Sequence, residues 1–106
     1  MRPSKVTLPC IRKRQLEELF VNTKKDLAIG LGVLNSADVN ILTIEQLADV
    51  MLTYQISRKG FKLKNEEYLN IVGEYDSECN ELIEDYNDAI SNVKHLINVK
   101  YAFGHE

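Results

Sequence analysis

The chain has few of the residues that interrupt helices. Its 106 residues include two prolines, Pro3 and Pro9, and five glycines, a breaker content that disfavours many short strands joined by turns. It has two cysteines and two histidines. Cys10 and Cys79 stand far apart, neither belongs to a CxxC, and no histidine lies near them at ligand spacing. That argues against a structural metal and leaves two reduced thiols as the expected state. No apolar run approaches the roughly 20 residues needed to cross a bilayer. The opening MRPSKVTLPCIRKRQ carries cations with no apolar stretch behind them, so it does not read as a secretory leader. The expectation is a cytoplasmic protein.

Catalytic signatures are missing too. GLG at 30–32 has neither the lysine nor the preceding strand of a phosphate-binding loop. The carboxylates at 66–88 lack the order of a calcium loop. His95 and His105 have no serine, cysteine or carboxylate at a spacing that demands general acid–base work. Cys10 lies two residues before Arg12 and three before Lys13, but this pattern alone does not make a nucleophile. We therefore expect no catalytic residues, no cofactor and no metal.

What is present suits one small globular domain. Hydrophobic residues make up 44% and charged residues 27%, enough for one modest core. The net charge of −3 conceals a division: residues 1–64 carry eleven Lys/Arg against six Asp/Glu, and residues 65–106 carry two against ten. Such asymmetry suits either a basic half that meets an acidic partner or two halves that meet each other.

Periodicity predicts an all-α fold. Residues 1–10, with both prolines, read as an extended arm. Residues 11–63 read as two or three short helices. The first carries Ile11, Leu16, Leu19, Phe20, Leu27 and Ala28 on one side, and GLGVLNS at 30–36 reads as its stop. TIEQ from Thr43 is a capping-box pattern that opens the next, and SRKG at 57–60 reads as a turn.

Residues 64–101 read as one long helix and 102–106 as a tail. Tyr68, Val72, Tyr75, Cys79, Leu82, Tyr86, Ala89, Val93 and Leu96 recur at strict alternating four- and three-residue spacing, the heptad signature. Gly73 is the weak point, yet the phase runs through it without slipping, which favours a continuous helix. Over residues 65–101 that helix would span roughly 55 Å, far beyond the radius of about 13 Å of a compact domain this size. The seam then needs cover. A second copy of the helix in a homodimer is the favoured arrangement, and wrapping by the N-terminal helices of the same chain is the other.

Two patterns point toward partners. KKDLAIGLGVLNSADVNIL at 24–42 resembles repressor-type helix-turn-helix domains through Ala28 and, four residues on, Gly32. The resemblance implies DNA contacts by Asn35 and Asn40 on a recognition helix, with Arg12, Lys13, Arg14, Lys24 and Lys25 meeting phosphates. It departs from the pattern at Asp38, where an apolar anchor is expected and which would repel phosphate. The second pattern is acidic: Glu74, Glu78, Glu81, Asp85 and Asp88 follow the apolar seam one residue behind it, with no Lys or Arg between Lys64 and Lys94. Such a stripe suits either a solvated flank or docking on a basic surface, belonging either to this protein itself or to a nucleic-acid-binding partner, with carboxylates standing in for phosphates.

The functional expectation is a non-enzymatic adaptor, inhibitor or regulator that binds another protein through its long helix and acidic surface. The alternative is a small dimeric DNA-binding transcriptional regulator.

Overall fold

The computed structural model describes residues 4–36 and 41–104. Three long helices run up, down and up: α1 (Ser4–Ser36), α2 (Ile44–Val72) and α3 (Ser77–Gly104). Contacts at both ends fix the directions. Leu34 near the end of α1 clusters with Leu47 near the start of α2 and with Val93 of α3. At the other end Leu16 and Phe20 of α1 cluster with Tyr68 of α2 and with Cys79 and Leu82 of α3. The bundle is a rod of 71 × 19 × 19 Å with a radius of gyration of 17.8 Å.

The all-helical class is as the sequence predicts, but the division into short N-terminal helices and one long C-terminal helix is not. Residues 4–10 belong to α1 rather than to an extended arm. Pro9 sits in the second helical turn, where it forfeits the bond to the Lys5 carbonyl and its ring crowds that carbonyl, a cost confined to the start of the helix. Gly30 and Gly32 do not stop α1 either. A glycine inside a helix costs about 1 kcal/mol relative to alanine, and the buried Leu27 and Leu34 anchor the helix on both sides of the pair. SRKG likewise lies within α2. Tyr54 before it and Phe61 after it both pack on Tyr86 of α3, with ring centroids 5.9 Å apart in each case, so the helix is held through a weak local signal. The expected tail from 102 is helical through Gly104.

The long C-terminal helix is broken where its glycine stands. Gly73 adopts φ +93°, the left-handed conformation that favours glycine, and its N–H donates to the Leu69 carbonyl at 2.7 Å. The chain then turns, and Asp76 starts α3 by accepting the Cys79 N–H on its side chain at 2.9 Å. The four-three phase survives because the turn keeps the residue count that the seam requires, although Val72 and Tyr75 within it are exposed. The Thr43 capping box forms as its sequence predicts: the Gln46 N–H donates to the Thr43 hydroxyl at 3.0 Å, and the Thr43 N–H to Gln46 Oε1 at 2.9 Å.

Candidate functional site

The α3 part of the heptad seam faces inward. Cys79, Leu82, Tyr86, Ala89 and Val93 are buried, and Leu96 packs beside Leu47 and Val93. Tyr68 is buried from α2, where its ring meets Phe20 edge-on at 6.4 Å. Its hydroxyl donates to Glu17 at 2.9 Å, and burial first, then that bond, pushes its pKa up to about 12. The seam is therefore covered by α1 and α2 of its own chain. The projecting helix that favoured self-association through these residues is absent.

The acidic stripe is divided between roles. Lys24 on α1 donates to Glu81 at 2.9 Å and lies 3.6 Å from Glu78. The hydrogen bond to Glu81 holds the Lys24 pKa above its ordinary value, with Glu78, Glu81 and Asp85 adding their charge. The basic surface these carboxylates meet thus lies on α1 of the same chain. Glu74 in the turn and Asp88 on α3 are exposed.

Several of the residues with the candidate DNA-binding role are paired within the chain. Arg12 makes a two-pronged contact with Glu67 of α2, Nε to Oε2 at 2.5 Å and a terminal nitrogen to Oε1 at 3.0 Å. This contact raises the guanidinium pKa and lowers that of the carboxyl, chiefly through the hydrogen bonds. Lys13 lies 3.9 Å from Glu17, and Asn35 accepts from the Asn92 side chain at 2.6 Å. Arg14 and Lys25 are exposed; Asn40 and Asp38 lie outside the described residues. Ala28 and Gly32 sit inside one uninterrupted helix, so the turn that the resemblance requires at Gly32 does not form.

Chemistry-bearing groups are dispersed or spent. Among the described residues no three His, Cys, Asp or Glu side chains are grouped to hold a metal ion. The Cys79 thiol is fully buried, donates to the Phe61 carbonyl at 3.4 Å, and is pushed up to about 12 chiefly by burial. A polar cleft of 220 Å³ by the α2–α3 turn is lined by Lys62, Asn65, Glu66, Tyr75, Asn80 and Ile83. Its groups bond one another: Tyr75 donates to Glu66 at 2.7 Å and Asn65 to Asn80 at 2.9 Å. We read it as the lock on the turn.

The surface that sequence reasoning missed is apolar. Between the C-terminal half of α1 and the N-terminal half of α2 lies a cleft of 260 Å³, lined by Gly30, Val33, Leu34, Leu42, Val50 and Tyr54. Ile29 and Val33 are each 67% exposed. A Cβ built on Gly30 meets nothing within 4 Å, so no contact within the fold requires glycine there. The signal was present in GLGVLNS but was read as a helix stop, which removed Val33 and Leu34 from any helical face. Among the described residues no helix is long and apolar enough to cross a membrane. Compared with protein-family models, with curated proteins and with solved structures, the chain matches none of them.

Proposed function

We propose that the protein is a non-enzymatic, protein-binding adaptor or regulator whose α1–α2 groove receives the aliphatic face of a partner helix. The observation that carries this reading is the groove itself: an apolar cleft between two helices, lined by Gly30 and the exposed Val33 among others, with the exposed Ile29 adjacent to Gly30 in sequence. Tyr54 brings the one side-chain polar group of the lining, so recognition there rests on burial of apolar surface rather than on hydrogen bonds or charge. Glycine at position 30 lets a partner approach the α1 backbone closely. Glu78 and Glu81 support the site indirectly by fixing α1 on α3 through Lys24.

The test is affinity capture from the native host with matched variants. Val33→Glu places a charge in the groove without disturbing a buried contact, and Glu84→Lys alters a distant exposed position. Proteins retained by the wild type and by Glu84→Lys, but lost with Val33→Glu, support the reading. A retained set indifferent to Val33→Glu overturns it, and salt-sensitive retention of duplex DNA by the wild type would place the function on nucleic acid instead.

A further inference from the structure

The groove leaves a second feature of α2 unexplained. The inward row of this helix (Leu47, Tyr54, Phe61, Tyr68) packs against α1 and α3. A second heptad row runs along its back: Glu45, Asp49, Leu52, Ile56, Lys59 and Leu63, spaced alternately by four and three residues. Leu52, Ile56 and Leu63 on this row are 53%, 64% and 64% exposed. The corresponding outward stretch of α3, with Glu81, Glu84, Asp88 and Ser91, is polar and exposed. A solvated helix back gains nothing from three large aliphatic side chains in register.

We propose that a second copy of the chain docks on this face, its α2 antiparallel to the first, about a twofold axis at the level of Tyr54. Three observations select this occupant. The first is the symmetry of the row about position 54, matched in side-chain chemistry at its four central positions though not at the outer pair, Glu45 and Leu63. Leu52 and Ile56 lie two residues to either side of it, and Asp49 and Lys59 lie five to either side. An antiparallel pairing sets Leu52 against the partner's Ile56 and Asp49 against the partner's Lys59, and the twofold repeats both contacts. A parallel pairing would oppose Lys59 to the partner's Lys59 and Asp49 to the partner's Asp49, which like charge disfavours.

The second observation is charge along the helix. Residues 44–57 carry two carboxylates and no Lys or Arg, whereas residues 58–64 carry four cations and no carboxylate. Reversal of direction lays the acidic block of each copy along the basic block of the other. Among the described residues neither Asp49 nor Lys59 enters an ion pair within its own chain, so both are available.

The third is area. The chain exposes 7217 Å², against about 6,000 Å² for a compact monomer of its mass. The rod shape of the bundle gives rise to that excess, and it leaves ample surface for the roughly 800 Å² that each partner contributes to a stable interface. The inference is independent of the groove, which lies between α1 and α2 rather than on the back of α2. It moves self-association from the α3 seam, buried inside the bundle, to a face that is open.

Sedimentation equilibrium from micromolar to submillimolar concentration tests it. The expected wild-type mass is twice the 12.1 kDa of the chain. Ile56→Glu, at an exposed site, should keep its helical circular dichroism and weaken dimerisation roughly tenfold or more. Asp49→Lys alone and Lys59→Asp alone should each weaken the dimer, and the two together should restore it. A wild type that stays at 12.1 kDa overturns the proposal. So does a dimer indifferent to Ile56→Glu, or a double charge swap that dimerises no better than either single one.

Discussion

Asn65 and Asp76, eleven residues apart, are joined by a 2.9 Å hydrogen bond from the Asp76 backbone N–H to Asn65 Oδ1. Asn65 is the one buried polar residue of the described core, 3% exposed, and its amide nitrogen donates in turn to Asn80 at 2.9 Å. One side chain of α2 thereby holds the turn and the first turn of α3 together. Asn65→Leu keeps the approximate shape and removes both bonds, leaving the Asp76 N–H without its partner. The expected loss is about 1–3 kcal/mol of folding stability, read as a lower urea midpoint at unchanged slope.

The glycines separate by the reason each is there. Gly73 holds a left-handed backbone, so Gly73→Ala should cost about 1–2 kcal/mol. Gly30 is helical with open space around its Cα, so Gly30→Ala should raise stability by up to about 1 kcal/mol. Thermal melts of the two variants should therefore move in opposite directions. On the functional reading, Gly30→Ala should weaken partner capture while it stabilises the chain, because the new methyl group adds to the lining of the groove.

These two positions also show what could be read in advance. Helical class, the Thr43 capping box and the inward face of α3 from Cys79 to Val93 follow from local spacing and cap chemistry, and the structure has them. The break at Gly73 could not be decided by phase, because a tight turn between antiparallel helices can preserve the residue count of an unbroken heptad. The converse error befell Gly30, Gly32 and Gly60. Each is a weak helix position held helical because leucines or aromatic rings on both sides of it, in the same helix, pack against other elements, and such tertiary contacts carry no local signature. The groove was invisible for the same reason, since it exists only when α1 continues past Gly32. Pairing of the acidic stripe with the chain's own basic half was one of the alternatives left open. Lys24 as its partner required the parallel register of α1 and α3.

The two thiols should differ sharply. Cys10 is exposed and Cys79 is fully buried, so a thiol reagent should modify Cys10 in the native protein and reach Cys79 only on unfolding. The raised values of Cys79 and Tyr68, both about 12 against ordinary values of 9.0 and 10.0, define an alkaline limb. For a group whose folded pKa is raised, the stability contribution is complete below the unfolded pKa and is lost as pH rises through the folded one. Stability should thus be steady to about pH 9, where Cys79 begins to favour the unfolded chain, and fall more steeply above pH 10 as Tyr68 joins it. Urea midpoints measured across this range check the slope, and Tyr68→Phe should make the fall above pH 10 shallower without abolishing it, because Tyr54, Tyr75, Tyr86 and Lys24 are also raised above their ordinary values.

Reversal of Glu78, Glu81 and Asp85 together to lysine tests what the acidic stripe does. All three carboxylates act on Lys24, so the triple variant sets four cations together where α1 meets α3. Lysine is as good a helix former as glutamate, so helix content should hold while the melting temperature falls. Two further measurements separate charge from packing. The deficit should shrink as salt is added, because these groups are partly exposed and screened. It should also shrink when Lys24→Glu is added to the triple variant, since the pairs then re-form with their signs exchanged. A melting temperature that neither salt nor Lys24→Glu improves would mean that the stripe acts through packing of its side-chain stems. An unchanged melting temperature in the triple variant would mean that the Lys24 contacts, although formed, contribute nothing to holding α1 on α3.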